Sequence, residues 1–165
     1  MNLLYQNNIA SAEYLLSLCR EKHITLSTAE SCTGGMIGAT LTAIPGSSDI
    51  YLGGIISYAN SVKENLLGVS GETLATVGAV SAETATAMAI GAKTATQATL
   101  AVSVTGIAGP GGATHDKPVG LVHFAIASPS STHTEYRIFS GNREQVRLQT
   151  VQAALSLLTQ AAQTL

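Results

Sequence analysis

Ser27-Thr28-Ala29-Glu30-Ser31-Cys32-Thr33-Gly34-Gly35 separates a short apolar segment, Ile24-Thr25-Leu26, from a helical pattern that begins at Met36. Ser31, Cys32 and Thr33 therefore fall where a strand gives way to a helix. The first turn of a helix has unpaired backbone N–H groups and a partial positive charge. Such a turn can bind an anion, or stabilise the oxyanion formed when a serine attacks a carbonyl. A serine or threonine at this point also serves as an ordinary helix cap.

Working outward, Ala10, Tyr14, Leu15, Leu18 and Cys19 recur at helical spacing, predicting a helix from Asn8 to Glu21. Ile24 to Ala29 reads as a buried strand, and Met36 to Ala43 as a helix ended by Pro45-Gly46. Tyr51 to Tyr58 is the next strand, and Ser61 to Leu67 a short helix capped by Ser61 or Asn60. Ser81 opens an alanine-rich helix that reaches Gln97. Thr99 to Thr105 alternates as a strand, followed by the glycine-rich loop Gly106 to Gly112. Gly120 to Ala127 and His133 to Phe139 form a hairpin, and a last helix runs from Asn142 to Ala162. Helices between strands predict an α/β fold: a mixed, mostly parallel sheet of about five strands, covered on both faces, with its antiparallel element near the end.

The 165 residues read as one domain, 1–165, with no linker or repeat. Only 11% of residues are charged, against about 25% in a typical soluble chain, and mean hydropathy is positive. So little charge cannot cover a monomer's surface, which predicts a homo-oligomer, most simply a dimer. A net charge of −2, eight scattered Lys and Arg, and 4% aromatics argue against nucleic acid as a partner. No apolar run approaches the roughly 20 residues of a membrane span, and no charged, cleavable leader opens the chain. Cys19 and Cys32 make neither a disulfide framework nor a metal site. A cytoplasmic protein without metal or cofactor is expected.

On open α/β sheets, ligand sites gather beyond the carboxyl ends of strands. Three polar clusters fall there: Glu30-Ser31-Cys32-Thr33, then Tyr58-Ala59-Asn60-Ser61-Val62-Lys63, then Thr105 with its glycine loop. A serine needs a base to become a nucleophile. Of the histidines, only His115 lies in a loop that could approach, whereas a buried lysine such as Lys63 can do the same work. Cys32, at a helix start, is the rival nucleophile. Loop amides can form a nest for a phosphate or carboxylate. Arg143 and Arg147, one helical turn apart, can pair with a phosphate or with neighbouring carboxylates.

Ala29 to Gly35, Gly53-Gly54 leading to Tyr58-Ala59-Asn60-Ser61-Val62-Lys63, Leu67-Gly68-Val69, Gly78-Ala79-Val80-Ser81, Thr105 to Gly112 and Lys117-Pro118-Val119-Gly120 together resemble the CinA C-terminal domain family. The resemblance runs in order from about Ala10 to Ala162. It implies a three-layer α/β/α sandwich and nicotinamide-nucleotide amidase activity, in a stand-alone form without the larger domain found in many members. It implies Ser31 as nucleophile, Lys63 and Tyr58 as its activators, and Thr105 nearby. Glu30, Cys32, Thr33, Gly34, Asn60, Gly106, Gly109 and Gly111, with Arg143 or Arg147, would then form the substrate side. The N–H groups from Cys32 to Gly34 would serve as the oxyanion hole. The alternative expectation is a paralogue that binds a pyridine nucleotide or its phosphate without turnover.

Overall fold

In chain order the computed structural model, which describes residues 3–165, begins with α1 (Leu3–Glu21), β1 (Leu26–Glu30), α2 (Met36–Thr42) and β2 (Tyr51–Ile56). It continues through α3 (Asn60–Leu67), α4 (Gly71–Thr76), α5 (Ala82–Thr96) and β3 (Leu100–Gly106). The hairpin β4 (Leu121–Ala127) and β5 (Thr132–Ile138) precedes α6 (Arg143–Thr164). The sheet order is β2-β1-β3-β4-β5. β1 pairs parallel with both β2 and β3, whereas β3, β4 and β5 pair antiparallel. The chain leaves β1 for β2 on one side and returns to β3 on the other, so the order reverses between β1 and β3. Their carboxyl ends open the crevice where ligands of such sheets bind.

Alternation along β3 builds the two cores. Leu100, Val102 and Val104 face one side, packed with Leu15 and Leu16 of α1, Ile37 and Leu41 of α2, and Leu155 and Leu158 of α6. Ala101 faces the other, in a cluster with Ala29, Ala125 and Ala127 of the sheet and Ala85, Met88, Ala89 and Ala92 of α5. Small residues on both partners let α5 lie close on the sheet, and the Ser103 hydroxyl donates to the Ala85 carbonyl at 2.6 Å. The result is the expected three-layer α/β/α sandwich.

Several boundaries differ from those read in the sequence, each for a tertiary reason. α1 starts at Leu3 instead of Asn8, which lies inside the helix and is buried, its Nδ2 donating to the Leu148 carbonyl of α6 at 3.1 Å. β1 starts at Leu26, since Thr25 and Thr99 exchange side-chain to backbone hydrogen bonds of 3.2 and 3.0 Å ahead of the ladder. Gly106 belongs to β3, paired with Val122 of β4. α4, with Ser70 accepting from the Thr73 amide, was not anticipated, for it buries no residue and so leaves no apolar stripe to read. α3 is capped by neither Ser61 nor Asn60. Ala59 is its N-cap, without a side-chain bond, and Asn60 is its first residue.

α3 crosses α5 at Gly91, where an added Cβ would overlap the Leu67 carbonyl oxygen. Replacing a mid-helix glycine by alanine ordinarily stabilises by roughly 0.5–1 kcal/mol. Here the sign reverses: Gly91→Ala is expected to destabilise by about 1–3 kcal/mol through overpacking, read from urea unfolding midpoints.

Candidate active site

The turn after β1 is tied to the sheet by the Ser31 amide, which donates to the Val104 carbonyl of β3 at 3.0 Å. Gly34 and Gly35, with φ of +57° and +97°, then swing the chain into α2 in a conformation that costs glycine little. Glu30, 1% exposed, folds back over this turn. Its carboxylate accepts from the Thr33 hydroxyl at 2.6 Å and from the Gly35, Ile37 and Gly38 amides at 2.9–3.0 Å. A carboxylate of the chain itself thus satisfies amides that α2 would otherwise leave open. Glu30, expected on the substrate side, points into the protein.

This arrangement also narrows the candidates for an oxyanion hole. The Gly34 amide donates to the Ser31 carbonyl at 3.0 Å and the Met36 amide to the Thr33 carbonyl at 3.2 Å. Among the described residues, no backbone carbonyl or side chain of another residue accepts from the Cys32 or Thr33 amide. Gly34 therefore leaves the expected set, and Cys32 and Thr33 remain.

Lys63 is among the largest of the fully buried side chains, at 1% exposure. α3 carries its amine beneath the turn, where Nζ donates to Ser31 Oγ at 3.1 Å, to the Ser57 carbonyl at 2.6 Å and to the Tyr58 carbonyl at 3.3 Å. No carboxylate is among these partners. Burial lowers the lysine pKa below its ordinary value, opposed weakly by Cys32. The same three contacts suit a neutral amine, whose two N–H groups serve the carbonyls while its lone pair receives the serine proton.

Ser31 and Lys63 line a cavity of about 200 Å³ with Cys32, Tyr58, Asn60, Thr105, Gly106 and Arg143. The three strand-end segments, distant in sequence, meet here with Arg143 of α6, at the strand-order reversal. Tyr58 is 63% exposed at the mouth. Its phenol accepts from Arg143 Nη2 at 3.1 Å and touches neither Ser31 nor Lys63; only its carbonyl reaches the amine. Arg143 Nη1 donates to the Gly109 carbonyl at 2.8 Å. Thr105, buried, gives its hydroxyl proton to the Ala79 carbonyl at 2.7 Å. Gly109 and Gly111 are not part of the cavity wall, and Arg147 lies behind the turn, bonded to the Cys32 and Thr33 carbonyls at 3.1 and 2.9 Å.

The rival groups fall away. His115, with a 99% exposed side chain, pairs with Asp116 at 2.8 Å in solvent. The Cys32 thiol is pushed up to about 12, mainly by burial, far from the thiolate a nucleophile requires. Several contributors were not read from the sequence as site residues. The Ser57 carbonyl is the closest partner of Lys63, and Ala79 and Val80 close one wall. A backbone carbonyl leaves no signature in residue type; Ala79 and Val80 were visible only as part of the Gly78-Ala79-Val80-Ser81 motif.

Among the described residues there is no His, Cys, Asp and Glu group able to hold a metal, and no helix long and apolar enough to cross a membrane. Comparison with known proteins adds the relationships. The family described as CinA C-terminal domain matches residues 8–162. A CinA-like protein of Synechococcus sp. (strain RCC307) is 50% identical over 149 residues, covering 89% of this chain and 36% of the relative. The chain spans about a third of the length of the curated relatives it matches. Among solved structures, the competence/damage inducible protein CihA from Agrobacterium tumefaciens superposes with a TM-score of 0.93 at 42% identity, covering 99% of both chains. A CinA superfamily protein from Enterobacter cloacae gives 0.90 at 35% identity, over 94% of this chain and 92% of that one.

Burial raises both thiols, Cys19 to about 11 and Cys32 to about 12. At about pH 8 a disulfide reagent that attacks thiolates is expected to titrate neither in the folded protein, and to titrate both cysteines in urea. Rapid native reaction at Cys32 would reinstate it as nucleophile.

Proposed function

The chain belongs to the CinA C-terminal domain family, and we propose that it is an amidohydrolase that deamidates nicotinamide mononucleotide to nicotinate mononucleotide through Ser31. The observation that carries this reading is the buried Lys63 amine, 3.1 Å from Ser31 Oγ and without a counter-ion. A base whose charged form is disfavoured by burial is what an unactivated serine lacks.

In the first half-reaction Lys63 takes the Ser31 proton as Oγ bonds to the carboxamide carbon. The oxyanion is received by the Cys32 and Thr33 amides. Lys63 then returns the proton to the nitrogen, the C–N bond breaks, and ammonia leaves an ester on Ser31. Water, deprotonated by the same amine, attacks that ester; the carboxylate departs and Ser31 recovers its proton. The pyridinium ring is already cationic, and a neutral lysine does not repel it. Arg143, at the cavity mouth with two of its five N–H groups engaged, takes the substrate phosphate. Tyr58 contributes its carbonyl to the lysine and its phenol to Arg143, so its part is to connect base and mouth.

One observation favours a second reading. The Ser57 and Tyr58 carbonyls would also suit an ammonium. With Lys63 kept protonated, Ser31 has no base, and the cavity would bind the nucleotide without turnover.

Ammonia release from nicotinamide mononucleotide separates the two. Ser31→Ala is expected to abolish release and keep ligand affinity, and Lys63→Met to lower kcat by about 10²–10⁴-fold, the range for a general base. Wild-type kcat/KM should rise with pH through a midpoint below the ordinary lysine value, because the depressed pKa leaves the active, neutral form dominant only above it. The same sign holds for stability. Between the folded and the ordinary lysine pKa the unfolded chain binds more protons, so stability rises with pH there, and Lys63→Met removes that slope. Folded wild type that binds the nucleotide but releases no ammonia at any pH would leave the binding reading.

The proposal includes a homodimer. Leu52 and Ile56 on the edge strand β2 are 47% and 55% exposed, and Leu66 of α3 and Ile90 of α5 are 59% and 47% exposed. Sedimentation equilibrium is expected to give twice the chain mass; a monomer at all concentrations would refute it.

A further inference from the structure

The start of α6 is set by a capping box, with the Asn142 side chain on the Gln145 amide at 3.0 Å and the Gln145 side chain on the Asn142 amide at 2.9 Å. This fixes the rotation of the helix and sends its two arginines to different tasks, although they share a face. Arg143 reaches the cavity. Arg147, one turn on and half-buried, reaches the back of the nucleophile turn, where Nε donates to the Cys32 carbonyl and Nη2 to the Thr33 carbonyl.

Peptide planarity makes those two bonds consequential. In a trans peptide the C=O and the following N–H point in opposite directions. Holding the Cys32 carbonyl therefore aims the Thr33 N–H away from Arg147. Holding the Thr33 carbonyl fixes the Gly34 N–H, which donates to the Ser31 carbonyl at 3.0 Å. That carbonyl shares its plane with the Cys32 N–H. One guanidinium thus governs both amides from which no other residue accepts, one directly and one through a relay of a single hydrogen bond. The relay is headed by a full positive charge, so it also polarises both N–H groups toward a developing negative charge.

We infer that Arg147 is a positioning residue, whose grip on the Cys32 and Thr33 carbonyls preorganises the oxyanion hole beside Ser31. The inference rests on the serine mechanism proposed above and gives Arg147 a part different from the substrate contact its sequence position suggested. Arg147 does not itself line the cavity and meets its wall only from behind, at the Cys32 carbonyl. Its effect belongs to the transition state and not to the binding of the nucleotide.

The test compares wild type, Arg147→Ala and Arg147→Lys in ammonia release, product affinity and thermal midpoint. Loss of oxyanion stabilisation predicts a fall in kcat of about 10²–10³-fold in both variants, with the Kd for nicotinate mononucleotide kept within about threefold, roughly the spread expected for a residue outside the contact. Lysine keeps the charge but not the two-pronged geometry, so it should not restore the rate. Guanidinium ion at millimolar concentration should restore part of it in Arg147→Ala. A Kd that rises in step with the loss of kcat, or an unchanged kcat, overturns the inference. If Arg147→Ala does not fold, Arg147→Lys with the same readouts decides. An arm independent of substrate uses a fluorophosphonate, in which Ser31 Oγ displaces fluoride at phosphorus and the phosphoryl oxygen occupies the hole. If wild type is labelled at Ser31 yet releases no ammonia, the amidase reading fails while slower labelling of the variants still supports Arg147. Wild type neither labelled nor active overturns both.

Discussion

A lysine amine buried without a counter-ion is the constraint around which this end of the molecule is arranged. Withdrawing an ammonium from water is costly, and the nearest acceptors are two carbonyls and a hydroxyl. The backbone at Ser57 and Tyr58 must therefore turn its carbonyls inward just as β2 ends, and α3 must begin at once so that Lys63 falls beneath Ser31. α3 can occupy that position because Gly91 of α5 admits the Leu67 carbonyl at its far end. The burial that lowers the lysine pKa and the packing that seats α3 are consequences of one placement.

The second requirement is an accounting of amides. A strand running into a helix through a tight turn leaves several N–H groups open. Here most are claimed from within: Glu30 takes three, and the Ser31 and Thr33 carbonyls take two more. With Arg147 drawing on the carbonyls from the opposite side, the turn is held at both ends, and the two amides left over lie next to Ser31. Glu30 is thus a structural anion where the sequence pattern resembled a ligand contact.

Much of this organisation was legible in the chain. The alternation around Leu100, Val102 and Val104 foretold a strand, and the alanine-rich run after Ser81 foretold a long helix. The three polar clusters at strand ends foretold which segments would meet, because a sheet whose order reverses brings those ends together. What periodicity could not carry was anything set by long-range partners. Asn8 looked like the first residue of a helix and is a buried link to α6. Gly106 looked like loop and is paired with β4. Arg143 and Arg147 looked equivalent, one turn apart, and only the docking of α6 against the Ser31 turn separates them.

The sequence alone determined the family, the layer order and which serine and lysine stand as candidates, because these depend on residue type, local spacing and motif order along the chain. Tertiary structure alone decided the protonation tendency of Lys63, the inward turn of Glu30 and the division of labour between the arginines. Each of those depends on which carbonyls and amides from distant segments surround a side chain. That environment exists only once strands remote in sequence lie side by side.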